Sequence, residues 1–234
     1  AGSEIGTFSD RLRDAVRGGS SFVSGEALRK GQGLGNGLFT LPNELAKQDM
    51  TKKDSSKTKN TPVQSEFLLS IAQAKVGLAG NLANMPLVFK GKPVLGADVP
   101  YGDGPTGYAL DPADTINYVS KHDNQTLWDN NQYRIPFQVS PETRVDMQVL
   151  SLAYPLLAQG IPFIHMGSEL LRSKGFLRDS FDFNEWFNQV DFTKSHNNYQ
   201  TGLPPEEKDK ANWEIIRRIK TQNAGRDNVT SAHI

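Results

Sequence analysis

Two apolar runs of strand length, residues 115–120 and 161–166, flank a well-signalled helix, and nothing else restricts the fold of these 234 residues as tightly. Ser140 can cap that helix, Pro141 suits its first turn, and Glu142 sits near the positive end of its dipole. Val145, Val149, Leu152, Leu156 and Leu157 recur at helical spacing, and Gly160 supplies the stop. Strand, helix and strand at this length predict a right-handed parallel unit. Both strands then end in polar residues on one edge, the first in His122-Asp123-Asn124 and the second in Gly167-Ser168-Glu169. Polar groups at the carboxyl ends of parallel strands are the usual layout of a site in a (β/α) barrel or a doubly wound sheet. Two strands alone do not choose between these.

Outside this unit the chain is less explicit. The first third is glycine-rich and reads as irregular, and residues 46–61 are polar and lysine-rich, which predicts a solvated loop. A helix is expected from 65 to about 76, burying Phe67, Leu68, Ile71 and Val76. Residues 87–107, punctuated by glycines, read as short strands and turns. Lys plus Arg equals Asp plus Glu at 26 each, so there is no electrostatic footprint for nucleic acid or an anionic membrane. Cysteine is absent, which excludes a disulfide framework and a thiolate metal site and says nothing of redox compartment. The most apolar stretch, 150–164, is broken by Pro155, Gln159, Gly160 and Pro162, so it reads as core and no membrane segment is expected. The chain opens at Ala1-Gly2-Ser3 without an initiator Met, which suggests a processed or excerpted product and makes a missing leader uninformative.

His122-Asp123-Asn124 offers an imidazole, a carboxylate and an amide, although a strand-end His or Asp also serves as a cap or loop anchor. Adjacent residues on an extended chain point to opposite sides, and no second ligand cluster is present, so a zinc site is not expected. Glu169 reads either as a pocket residue or as a partner of Arg172 or Lys174. His165, inside an apolar strand, reads as a hydrogen-bonded core residue. Between 176 and 192 the chain interleaves aromatics, among them Phe181 and Trp186, with Arg178, Asp179 and further carboxylates. Rings stack on the apolar face of a pyranose while carboxylates and guanidinium bind its hydroxyls, so the pattern suits a sugar; the alternative is a loop pinned to the core by its rings. Asn198 and Trp213 add amide and aromatic surface nearby.

These residues carry a resemblance. The strings Ile5-Gly6-Thr7-Phe8-Ser9-Asp10-Arg11-Leu12-Arg13-Asp14-Ala15, Gly77-Leu78-Ala79-Gly80-Asn81-Leu82 and Tyr118-Val119-Ser120-Lys121-His122-Asp123-Asn124-Gln125-Thr126-Leu127 resemble type I pullulanases and plant limit dextrinases of the α-amylase superfamily (glycoside hydrolase family 13). So do Gly160-Ile161-Pro162-Phe163, Gly167-Ser168-Glu169-Leu170-Leu171-Arg172-Ser173-Lys174, Trp186-Phe187-Asn188 and Gly202-Leu203-Pro204-Pro205. The likeness extends from Ile5 to about Ile219, with departures in the 46–61 loop and at Phe183-Asn184-Glu185, where the family has small residues.

The resemblance implies an α/β fold, namely the C-terminal half of a (β/α)₈ TIM barrel from beyond the fifth strand through the eighth, with long active-site loops. Residues 1–219 would form that partial barrel, and 220–234 a polar tail or the start of a connection to a missing domain. The implied activity is retaining hydrolysis of α-1,6-glucosidic bonds in pullulan and branched starch, glycogen or limit dextrins, with the nucleophilic Asp and acid/base Glu lying in the missing N-terminal part of the barrel. His122 would bind the sugar at the cleaved bond and Asp123 would stabilise the transition state, whereas Asp123 read without the family is the natural nucleophile. Arg178 and Asp179 would line the donor side, with Asn124, Glu169, Phe181, Trp186 and Asn198 as further substrate contacts. No cofactor is required; calcium is common in the superfamily, but no dedicated ligand loop is visible. A bacterial parent of this kind would be secreted or displayed at the cell surface. The rival expectations are a non-catalytic α-glucan-binding module, or another superfamily member such as an isoamylase or an α-amylase.

Overall fold

The computed structural model describes residues 5–50, 62–199 and 201–223. Its strands are β1 (Thr7–Ser9), β2 (Pro86–Phe89), β3 (Lys92–Leu95), β4 (Pro100–Tyr101), β5 (Gly104–Pro105), β6 (Thr115–Asn117) and β7 (Ile161–Pro162). Its α-helices are α1 (Asp10–Arg17), α2 (Gly25–Lys30), α3 (Glu44–Met50), α4 (Pro62–Leu78), α5 (Leu127–Arg134), α6 (Pro141–Leu157), α7 (Glu206–Asp209) and α8 (Trp213–Asn223). This is a mixed α/β chain. Among the described residues no helix is long and apolar enough to cross a membrane.

β1, β6 and β7 form a parallel sheet in that order, with Phe8 opposite Ile116 and Ile116 opposite Ile161. The expected parallel unit is therefore present, and β1 extends it on the other side. Both predicted strands are shorter than expected. Asn117 ends β6 by donating its side-chain amide to the Gln159 carbonyl at 2.9 Å, and Pro162 in β7 has no N–H to offer a ladder. β2 and β3 form a hairpin closed by Lys90 and Gly91, both at positive φ, as a two-residue turn requires. β4 and β5 form a second, so the short strands expected over 87–107 are found.

The glycine-rich first third, expected to be irregular, holds α1, α2 and α3. α1 starts directly after β1 and buries Leu12, Ala15 and Val16 against Ala74 of α4, Val119 and Leu127. Gly18 ends it at φ +96°, where a Cβ would meet the Gly31 carbonyl, so only glycine lets the two loops approach. The expected 46–61 loop needs correction at its start, because residues 46–50 lie in α3, with Ala46 and Asp49 buried; 51–61 fall outside the described residues. α4 is longer than predicted and buries Val63, Ala72, Ala74, Val76 and Gly77, leaving Leu68 exposed, since its large residues spread around the helix. α8 crosses the expected boundary at 219/220 by packing Ile215, Ile216 and Ile219 into the main core of Leu28, Trp128, Tyr133, Leu171, Phe176 and Tyr199. Residues 224–234 lie outside the description.

α6 matches its predicted N-cap, with Ser140 Oγ accepting the Thr143 N–H at 3.3 Å, and ends at Leu157, ahead of Gly160; of its apolar stripe, only Val145 and Leu152 pack against the core. It buries Arg144, Gln148 and Ser151 and exposes Val149 (61%), Leu156 and Leu157 (77%). The buried polar face is satisfied by α5, a helix buried on every side despite being mostly polar. Arg144 donates to Gln132 Oε1 at 2.6 Å, Asn131 to Gln148 Oε1 at 3.2 Å, and Asn130 to the Arg17 carbonyl at 3.0 Å. This hydrogen-bonded layer makes burial of α5 affordable.

Candidate active site

A cleft of about 470 Å³ opens at the carboxyl ends of β1 and β6. Because β1 and β6 are neighbours in register, the residues leaving them meet: Asp10 and Arg13 from the start of α1, and Tyr118, Lys121, Asp123 and Asn124 from the loop after β6. Ser21, Phe22, Arg178 and Asp179 complete its lining, with the Arg178 guanidinium 5.8 Å over the Phe22 ring. The loop after β6 turns at Asn124, at φ +63°, and Thr126 then caps α5 by accepting the Asp129 N–H at 3.2 Å.

The floor is rigidly wired. Tyr118 donates to Asp10 Oδ1 at 2.6 Å and accepts from Arg13 at 2.8 Å, while Arg13 also reaches Asp10 Oδ1 and Asp14 Oδ1, each at 2.8 Å. Tyr101 donates to Asp14 Oδ2 at 2.7 Å. Burial works against the Arg13 charge, but Asp14, Tyr118 and Asp10 outweigh it and raise its pKa. Burial and the bond to Asp10 raise that of Tyr118, so it stays a phenol and a donor. Burial, reinforced by Arg13, lowers that of Lys121, which pairs with Asp123. Asp123 also lies 3.4 Å from His122 Nε2, and the His122 side chain is 80% exposed.

The far wall hangs from α5. Asp129, fully buried, accepts from Ser173 Oγ at 2.5 Å, the Lys174 N–H at 2.8 Å and the Phe176 N–H at 3.2 Å. Burial raises its pKa, against those hydrogen bonds. Lys174 Nζ donates to the Arg178 carbonyl at 2.9 Å and to Ser180 Oγ at 3.1 Å, and Asp209 Oδ2 accepts the Arg178 N–H at 2.7 Å. Burial lowers the Lys174 pKa to about 8, partly offset by Asp129. Arg178 is thus held by both backbone groups, and its side chain pairs with Asp179 at 3.4 Å beside the Phe22 ring.

The structure gathers Asp123, Asn124, Arg178 and Asp179 in one cleft, whereas His122 is not among its lining residues and reaches it only through its contact with Asp123. It puts other expected contacts elsewhere. Glu169 faces an apolar groove beside Val149, Leu152 and Leu156 on α6. Neither ion pair considered for it forms among the described residues, for Arg172 binds His165 Nε2 at 3.0 Å and Lys174 binds the 178–180 loop. Phe181, 87% exposed, has the Lys208 ammonium 5.2 Å over its ring, and Trp186 packs edge-on against Phe187 at 4.9 Å. Asn198 is buried and ties the Trp186 carbonyl to Gln189 at 2.6 and 2.9 Å, which is an anchoring role. His165 lies beyond β7, outside the strand expected around it, and is only partly buried; burial with Arg172 lowers its pKa to about 4. Among the described residues no His, Asp and Glu cluster could hold a metal ion. Asp10, Arg13 and Phe22 were not expected as cleft residues; the one available signal was the string Ile5 to Ala15, which carries Asp10 and Arg13 within the resemblance.

Fold and cleft define a parallel α/β protein that gathers carboxylates, cations and aromatic rings at the carboxyl edge of its sheet. No protein-family model matches the chain. It is 49% identical over 220 residues to a pullulanase of Klebsiella aerogenes, covering 94% of this chain and 19% of that protein. It is 40% identical over 220 residues to pullulanase 1, chloroplastic, of Arabidopsis thaliana, covering 92% and 21% respectively. The crystal structure of Klebsiella pneumoniae pullulanase complexed with maltotriose superimposes with a TM-score of 0.85 at 47% identity, over 94% of this chain and 20% of that one. The chain is a homologue of the pullulanases, and it spans about a fifth of the length of the relatives it matches.

Proposed function

We propose that this chain is part of a debranching glycoside hydrolase that cleaves α-1,6-glucosidic bonds in pullulan and branched starch or glycogen with retention. The observation that carries the reading is the meeting of Asp123 and Asn124 with Arg178 and Asp179 in one cleft of a chain 49% identical to a pullulanase. Maltotriose in the related crystal structure supports an α-glucan as the ligand. In this reading His122 and Asn124 bind the sugar at the cleaved bond, and Asp123 holds its hydroxyls and favours the distorted, oxocarbenium-like ring. Arg178 and Asp179 bind the donor side. The nucleophile and the general acid come from outside this chain, and no cofactor is needed.

The partial-barrel reading supplies their source. β1, β6 and β7 would be the last three barrel strands, which leaves the outer edges of β1 and β7 for strands of the N-terminal part. The exposed apolar residues of α6, Val149, Leu156 and Leu157, fit the same reading, as surface that a missing part would cover.

The test is Asp123→Asn in the complete enzyme. Turnover on pullulan should fall by about a hundredfold or more with the melting temperature nearly unchanged. Near-normal turnover would remove Asp123 from the mechanism. Release of maltotriose from pullulan by the purified chain alone would contradict the assignment of nucleophile and acid elsewhere.

A further inference from the structure

We infer that Asp10 is a substrate-hydroxyl acceptor in the cleft, pre-aimed by Arg13 and Tyr118; this rests on the α-glucan reading of that cleft. Asp10 is the first residue of α1, at the carboxyl end of β1, beside the strand end that delivers Asp123. Its side chain is 47% exposed, whereas Arg13 and Tyr118 are buried behind it. Both neighbours bind the same oxygen: Oδ1 receives Arg13 Nη1 at 2.8 Å and Tyr118 Oη at 2.6 Å. Oδ2 receives no hydrogen bond from the described residues.

A carboxylate whose one oxygen accepts the Tyr118 hydroxyl and pairs with the Arg13 guanidinium cannot rotate freely, so its other oxygen keeps one direction. Here the free oxygen belongs to a cleft-lining residue. The donors are themselves pinned, because Asp14 holds Arg13 Nε at 2.8 Å and Tyr101 holds Asp14 at 2.7 Å. An ionised acceptor set in advance pays little ordering entropy when a hydroxyl arrives, and a hydrogen bond to a charged group is stronger than a neutral one. The competing explanation is that Asp10 merely serves as a helix N-terminal acid, paired with Arg13 three residues on.

Asp10→Asn separates the two. Its amide oxygen can still accept from Arg13 and Tyr118, which turns an N–H donor toward the cleft in place of Oδ2. On pullulan, the complete enzyme carrying Asp10→Asn should show KM raised about tenfold, with kcat changed less and melting temperature nearly unmoved. Tyr118→Phe, which removes one of the two donors that aim Asp10, should raise KM by about two- to threefold with the same split. KM within twofold of the parent in Asp10→Asn would overturn the inference and leave Asp10 a helix-terminal acid. An Asp123→Asn control makes the failures distinguishable. If Asp123→Asn keeps its turnover, the cleft reading falls and Asp10 with it; if it loses turnover while Asp10→Asn binds normally, only the Asp10 inference falls.

Discussion

Removing the Asp129 carboxylate should detach the two walls of the cleft from one another, at a cost the hydrogen-bond geometry sets. Asp129 stands in the first turn of α5, just after the loop that carries Asp123, and accepts three donors from residues 173–176. In Asp129→Ala the Ser173 hydroxyl can swing toward other partners, since it already accepts the Gly175 N–H at 3.0 Å. The Lys174 and Phe176 N–H groups cannot. Each buried orphan costs about 1–3 kcal/mol. Relief of the carboxylate's own desolvation, visible in its raised pKa, offsets part of that sum. A net loss of about 3 kcal/mol is expected for alanine, a large share of the roughly 5–15 kcal/mol that stabilises a domain. Asparagine is the informative contrast. Its oxygen can face both backbone N–H groups while its amide donates to Ser173, so Asp129→Asn should lose only about 1 kcal/mol. Urea unfolding of the chain, followed through tryptophan fluorescence, reports directly, because Trp128 is fully buried one residue away and packs against Tyr199 at 5.7 Å. An alanine variant within about 0.5 kcal/mol of the parent, or an asparagine variant as weak as alanine, would refute the assignment of Asp129 as the strut.

His165 should give stability a pH dependence. Its Nε2 accepts from Arg172, which requires a neutral ring, and burial holds its pKa near 4 against 6.5 unfolded. The unfolded chain therefore binds the proton first, so stability is complete above pH 6.5 and is lost as pH falls toward 4. The loss is about 1–2 kcal/mol after allowing for solvent screening. His165→Gln should flatten that slope between pH 7 and 4.5 in urea titrations, and an unchanged slope would rule the residue out. Leu157→Lys should be nearly neutral in this chain, where the residue is 77% exposed, yet cost about 2 kcal/mol in the complete enzyme, where the partial-barrel reading covers it. Equal small effects in both backgrounds would leave α6 without a covering partner.

What could be read from the sequence was what neighbouring residues decide together. Ser140 and Pro141 start a helix, Lys90-Gly91 closes a hairpin, and an apolar run ending in His122-Asp123-Asn124 marks a strand end, because each depends on residues within a turn of one another. Asp10 and Arg13 escaped because their meaning comes from Tyr118, more than a hundred positions away, and only the pairing of β1 with β6 brings them together. Glu169 was misplaced for the related reason that a strand end predicts an edge of the sheet and not a direction: β7 stops at Pro162, and the turn that follows carries Glu169 toward α6. α6 shows the limit most clearly. Its apolar period is helical, and a helix forms, but periodicity states that one face wants cover without saying what is available to cover it. In this chain the polar face finds α5, bonding Gln132 and Asn131, while Val145 and Leu152 pack against the core and Val149, Leu156 and Leu157 stay exposed. The proposed partial barrel would cover both the exposed apolar residues of α6 and the outer sheet edges that have no neighbour among the described residues. Under the proposed reading, the nucleophile and general acid would come from the part of the barrel outside this chain.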